Sequence, residues 1–160
     1  AVMDSLLENY AVIAKAASER ADKNAEGAGA AGGLGFAFLS FLNSELKSGI
    51  KLILDETGLE KDIRDADIVV TGEGRLDAQS CMGKAPVGVA RAAKKHQKPV
   101  IAFSGAVTED AGLCNEHGID AFFPILRGVV SLDEAMDPEH ARKNMTAAVE
   151  QAFRLIKAVH

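Results

Sequence analysis

Residues Asp67 to Lys84 read DIVVTGEGRLDAQSCMGK, and this stretch decides the fold. Ile68-Val69-Val70 is a short β-branched run with Thr71-Gly72 on its far side. A run this short, closed by glycine, predicts a buried strand of a parallel sheet rather than a helix. A loop is predicted next, with Gly72, Gly74 and Gly83 interleaved among Glu73, Arg75, Asp77, Gln79, Ser80 and Lys84. Pro86 then suits the opening of a helix, where its missing N–H costs nothing. In open α/β sheets, ligands bind beyond the carboxyl end of a strand with such a sequel. The stretch therefore reads as a site.

Working outward, the elements alternate. Helix Pro86–His96 ends in Lys94, Lys95 and His96, cations suited to its negative end. Strand Val100–Phe103 leads to Ser104-Gly105, helix Thr108–His117 is stopped by Gly118, and Ile119–Ile125 is a third strand. A helical turn at Leu132–Met136 precedes a last helix, Pro138–Val159, whose apolar stripe is Met145, Ala148, Val149, Ala152, Leu155 and Ile156. This alternation predicts an α/β fold with a parallel sheet and helices on both faces.

On the amino-terminal side, Asp4–Ala21 has helical spacing, with Asp4 or Ser5 as cap. Gly27–Gly35, GAGAAGGLG, holds five glycines in nine residues. Its Gly27-x-Gly29-x-x-Gly32 has no preceding strand, so it is not a dinucleotide fingerprint. Two readings stay open: a close-packing hinge, or an anion-binding nest of N–H groups involving Gly29, Gly32 and Gly33. Helix Gly35–Lys47 is apolar on most sides and is expected to be largely buried, with Gly49 as a left-handed cap. Ile50–Leu54 suits a strand or a helix, Asp55–Gly58 a turn, and Leu59–Arg64 a short amphipathic helix.

With 160 residues, 48% hydrophobic content and a net charge of -5, the chain can build a core and lacks the basic face of a nucleic-acid binder. No apolar run approaches the roughly 18 residues of a membrane span, and no signal peptide is expected, since Asp4 and Glu8 interrupt the start. Cys81 and Cys114 form no spacing motif, which predicts a reduced, cytoplasmic protein. His96, His117, His140 and His160 share no ligand spacing and are expected at the surface. Cys81 and Ser104 read as structural or incidental, since neither has a nucleophile's setting. Because helix begins almost at once after Ala1, the chain is expected to be a piece of a longer protein.

The chemistry of the central stretch follows from residue type. Gly83-Lys84 is not the end of a Walker loop, because Ala78 and Ala85 replace the required Gly and Ser/Thr. Lys84 still lies at a helix N-terminus, where an anion meets a charge and free N–H donors. Arg75 offers a planar fork for carboxylate or phosphate. Glu73 and Asp77 suit Mg²⁺, or a salt bridge with Arg75.

TGEGRLDAQSCMGKAPVGVA, with GAGAAGGLG some forty positions earlier, closely resembles the carboxy-terminal half of the type I glycerate kinase family. ELKSGIKLIL, PVIAFSG and GIDAFFPI extend the similarity along the whole chain. The resemblance implies ATP- and Mg²⁺-dependent phosphorylation of D-glycerate by the parent protein, with 2-phosphoglycerate favoured over 3-phosphoglycerate. It also implies a two-domain α/β kinase with a Rossmann-like domain built from both chain ends and a second domain inserted in it. On that basis residues 1–62 would be the last part of the inserted domain, with its Gly-rich loop, and residues 63–160 the last part of the Rossmann-like domain.

The family's PDSFKG-like and ADGGEGT-like amino-terminal segments are not in these 160 residues, so the missing half is an expected partner and this piece alone is expected to be inactive. Glu73, Arg75, Asp77 and Lys84 are the expected catalytic residues, with Asp77 and Glu73 as metal ligands. Gly72, Gly74, Gln79, Ser80, Gly83, Gly29, Gly32 and Gly33 are the expected substrate- or phosphate-binding residues. Partners are small molecules, D-glycerate and ATP, without nucleic acid or membrane; a homodimer is left open. The alternatives are a non-catalytic sugar-acid binding module and an inactive structural fragment.

Overall fold

The computed structural model describes residues 2–159 and divides after Ser48 into two units. Ala1 and His160, and with the latter its expected surface placement, lie outside the described residues.

The first unit holds two helices, α1 (Val2–Ala17) and α2 (Ala30–Phe41). α1 starts before the expected cap: the Ser5 hydroxyl donates to the Val2 carbonyl at 2.9 Å instead of capping an amide. It also stops short of Ala21, because the Ala21 N–H turns back to the Ser18 carbonyl. Ser18 Oγ donates to the Ser40 carbonyl at 2.6 Å and ties the end of α1 to α2. Ala14, Ala21, Ala28 and Phe36 form the small core, with the Tyr10 ring edge-on to Phe36.

α2 departs from expectation at both ends. Ala31, Gly32 and Gly33 are left-handed (φ 52, 69 and 95°), so regular helix begins only at Leu34. It ends at Phe41, because Leu42 is extended and the Ser44 N–H bonds the Leu42 carbonyl. Nor is it largely buried: Gly35, Phe36 and Ser40 are, whereas Phe38, Phe41 and Leu42 are exposed. One neighbouring helix covers only one stripe of a helix that is apolar all round.

The second unit opens with α3 (Gly49–Thr57) and α4 (Leu59–Asp65). The ambiguous 50–54 run is helix, and the turn expected at 55–58 shrinks to Gly58, the left-handed residue between them (φ 65°). Gly49 begins α3 and caps nothing. Then come β1 (Val69–Leu76), α5 (Ala85–Lys95), β2 (Val100–Val107), α6 (Leu113–Glu116), β3 (Ala121–Pro124), α7 (Leu132–Met136) and α8 (Pro138–Val159). All three strands are parallel, in the order β1-β2-β3, with Val69 beside Val100 and Ile101 beside Ala121.

Alternation along β2 divides the core. Val100 and Ala102 pack with Val69, Val87, Ala90, Ala93 and Ile119 under α5. Ile101 and Phe103 face the other way, onto Ala148, Val149, Ala152 and Ile156 of α8, with Phe103 stacked on Phe123. Helices cover both faces, as the alternation of elements predicts. α3 rests on α5 where Gly88 leaves room: a Cβ there would come within 2.3 Å of the Ile50 side chain. On α8, Leu155 and Met145 lie outside the buried stripe and are exposed.

Several boundaries differ from the sequence reading, and one difference matters. β1 does not stop at Val70. It runs to Leu76, because residues 71–73, 75 and 76 stay in register with β2 up to Val107. Glu73, Gly74 and Arg75 therefore stand on a strand and not in a loop. β2 likewise runs to Val107, and β3 is confined to Ala121–Pro124. Residues 108–117 are a 3-10 turn (Glu109–Gly112) followed by α6, because the Thr108 hydroxyl bonds the Leu76 carbonyl and Asp110 instead of capping a longer helix. Among the described residues no helix is long and apolar enough to cross a membrane.

Candidate active site

The polar cluster forms where β1 ends. Glu73 and Arg75, two apart on the strand, project from the same face. The chain then turns through a 3-10 turn, Ala78–Met82, whose start is fastened by a capping box. The Ser80 N–H donates to Asp77 Oδ1 at 3.2 Å, and the Asp77 N–H donates to Ser80 Oγ at 3.1 Å. Ser80 Oγ in turn donates to Glu73 Oε1. Ser80 is fully buried, and it holds both carboxylates in place, Asp77 through its N–H and Glu73 through its hydroxyl. The Asp-x-x-Ser spacing before a turn is the sequence signal for this arrangement, which gives Ser80 a structural role beside the binding role expected of it.

Two cations flank the pair. Arg75 Nε lies 3.4 Å from Asp77 Oδ2, and Lys84 Nζ lies 3.6 Å from Asp77 Oδ1. The Asp77 side chain is 13% exposed, against 66% for Arg75 and 42% for Lys84. Burial opposes ionisation of Asp77, but Lys84, the Ser80 N–H, Arg75 and the Gln79 N–H outweigh it and hold its carboxyl below the usual range. The salt bridge of Asp77 with Arg75 is thus present. Lys84 is the residue before α5, with Pro86 in the helix's first turn.

The glycines divide by task. A Cβ on Gly72 would sit 2.2 Å from the Phe103 carbonyl oxygen, so glycine there lets β1 and β2 approach. Gly83 ends the 3-10 turn in the left-handed region (φ 98°). Gly74 has open space beside it, and Gln79 is exposed on the turn. In the first unit, Gly29, Gly32 and Gly33 line a cavity of about 400 Å³ with Asp4, Glu8, Tyr10 and Lys23. A Cβ on Gly35 would meet the Gly27 carbonyl oxygen at 2.2 Å, and the Phe36 N–H is taken by the Ala28 carbonyl. That part of the segment is close-packed; Gly29 and Gly32 are open.

Beneath the turn lies a contact with no signal in the sequence. Cys81 and Cys114, both buried and free, bring their Sγ atoms to 3.3 Å. Burial, the Cys81 hydrogen bond and the charges of Glu73 and Asp77 push the Cys114 thiol up to about 12.

Among the described residues no three His, Cys, Asp or Glu side chains converge as a metal cage. Mg²⁺ does not need one: it is commonly held by one or two carboxylates, with substrate phosphates and water completing the shell. Glu73 and Asp77, both within reach of Ser80 Oγ, fit that donor set.

Carboxylates and cations gathered at the carboxyl end of a strand stand where open α/β sheets commonly bind their ligands. The glycerate kinase family model matches residues 1–157, and the chain belongs to that family. It is 49% identical to a glycerate 2-kinase of Escherichia coli over 83% of this chain and 35% of that protein. It is 42% identical to a glycerate kinase of Bacillus subtilis over 98% of this chain and 40% of that protein, and 41% identical to one of Haemophilus influenzae over 96% and 40%. The chain thus spans well under half the length of the curated relatives it matches.

Proposed function

We propose that the protein containing this chain transfers the terminal phosphoryl group of ATP to D-glycerate, with 2-phosphoglycerate as product. The observation that carries this reading is the Ser80-centred cluster in a chain of the glycerate kinase family. The name of the E. coli relative favours the 2-position.

Phosphoryl transfer demands mostly positioning and electrostatics: cations along the phosphates, oxygen ligands for a metal, and a group that orients the attacking hydroxyl. Glu73 and Asp77 would hold Mg²⁺, which on binding neutralises charge building on the phosphates. Arg75, the more exposed cation, presents a planar fork to the glycerate carboxylate. Lys84, at the start of α5, meets a phosphate together with the N–H groups there. Ser80 is a positioning residue that fixes both carboxylates. The cluster supplies one side of such a reaction, so these 160 residues by themselves are expected not to turn over.

The test is an ADP-release assay on the full-length protein with glycerate, ATP and Mg²⁺. Arg75→Lys keeps the charge and loses the fork, so KM for glycerate should rise at least ~10-fold, about 1.4 kcal/mol, with KM for ATP scarcely moved. Asp77→Asn should depress kcat and shift the Mg²⁺ dependence. The reverse pairing would make Arg75 and Asp77 a structural ion pair and sink the assignment.

A further inference from the structure

The cysteine pair is two facing thiols that the proposed chemistry leaves unused, Cys114 held as the thiol by its burial, so that Cys81 is the sulfur oxidised first. Cys81 sits on the 3-10 turn after β1, one residue beyond Ser80; Cys114 sits on α6, after β2. They are 33 positions apart in sequence and meet at 3.3 Å, Sγ to Sγ. Cys114 Sγ also lies 3.8 Å from the Asp77 carbonyl, so the pair touches the turn at both ends of its capping box.

We propose that Cys81 and Cys114 form a reversible dithiol–disulfide modification site whose oxidant is a small peroxide, and that its oxidation disturbs the Ser80-centred cluster. Cys81 sulfur attacks one peroxide oxygen; the O–O bond breaks, water leaves, and a sulfenic acid forms. Cys114 sulfur then displaces the sulfenic oxygen as a second water. In sum two S–H bonds and one O–O bond break, one S–S bond forms, two electrons pass from sulfur to peroxide, and both thiol protons end in water. Peroxide is little larger than water, and the target is near the surface: Cys81 is 9% exposed and its neighbour Met82 is 85% exposed.

The consequence follows from chain connectivity. A thiol contact is longer than an S–S bond of about 2.05 Å, so closing it draws a five-residue turn toward α6. Ser80 precedes Cys81 directly; its N–H holds the Asp77 carboxylate and its hydroxyl the Glu73 carboxylate. A shift at Cys81 therefore loosens both carboxylates. In a reducing compartment, a disulfide next to a site is transient and sensing.

The experiment treats the reduced full-length protein with hydrogen peroxide, blocks free thiols by alkylation, and digests it without reductant. The expected product is one peptide pair joining Cys81 to Cys114, lighter by two hydrogens than the reduced pair and split again by a phosphine. Amide hydrogen exchange across residues 77–84 should change with the link and revert with it, in Cys114→Ala neither should occur, and Met82 oxidation serves as the gauge of oxidant delivered. The proposal is overturned if both thiols still alkylate once Met82 is a sulfoxide, if links form only between molecules, or if the link forms and exchange across 77–84 does not move. These readouts are independent of turnover. The loss of glycerate phosphorylation expected on oxidation, at least ~10-fold and reversible, rests on the proposed function; a link with altered exchange in a protein that never phosphorylates glycerate would support this inference and overturn that reading.

Discussion

Replacing Ser80 by alanine removes one oxygen from a fully buried position and breaks two contacts. The Asp77 N–H loses its acceptor, a neutral hydrogen bond worth about 0.5–1.5 kcal/mol. The Glu73 carboxylate loses a donor, worth about 1.5–3 kcal/mol for a bond to a charged group. Glu73 is only half-buried, so water recovers part of the second term. A destabilisation of about 2–3 kcal/mol is the expected sum, roughly a 30- to 150-fold change in the unfolding equilibrium. In urea, with a slope of about 2–3 kcal/mol/M, the midpoint should fall by about 1 M at unchanged slope. Glu73→Gln in the same background tests whether the loss runs through this contact, because the double-mutant coupling should reach about 1 kcal/mol. A midpoint within about 0.2 M of the parent, or additive single effects, would show that the Ser80 hydroxyl does not hold the Glu73 carboxylate.

Gly72→Ala should cost at least about 2 kcal/mol in the same urea experiment, because its Cβ would lie 2.2 Å from a backbone oxygen that cannot rotate away. Gly29→Ala, whose Cβ would meet nothing within 4 Å, should leave the stability within about 0.5 kcal/mol of the parent's; if the open face of that cavity admits an anionic ligand, binding measured by calorimetry should weaken while stability holds, and a stability collapse would make it a packing position. The acid limb of unfolding should depend on Asp120. Burial works against its charge, but the Lys94 ammonium and the Val100 N–H, which donates to Oδ2 at 2.6 Å, outweigh it and lower its carboxyl. A group depressed in the fold stabilises above its unfolded value of about 3.9 and loses that contribution as pH falls through its folded value. Asp120→Asn should therefore lower stability at pH 7 and flatten its pH dependence below about pH 4; an unchanged acid limb would refute this.

The layout of the second unit was legible in the sequence because its signals are local. Short β-branched runs closed by glycine or led in by proline, alternating with amphipathic segments such as Pro138–Val159, specify parallel strands and covering helices whatever the partners are. The cluster's membership was legible too, since Glu73, Arg75, Asp77, Ser80 and Lys84 fall within twelve residues. Tertiary structure decided what local chemistry leaves open. β1 runs on through Glu73, Gly74 and Arg75 because β2 supplies backbone partners as far as Val107, overriding two glycines and a charged pair with poor strand preference. The α2 segment begins with a left-handed turn, and the Gly27 carbonyl crowds Gly35 from eight positions away. Cys81 meets Cys114 only because neighbouring parallel strands bring their following connections to the same carboxyl end of the sheet. A contact 33 residues apart has no period to betray it; it exists once the sheet register is set, and not before.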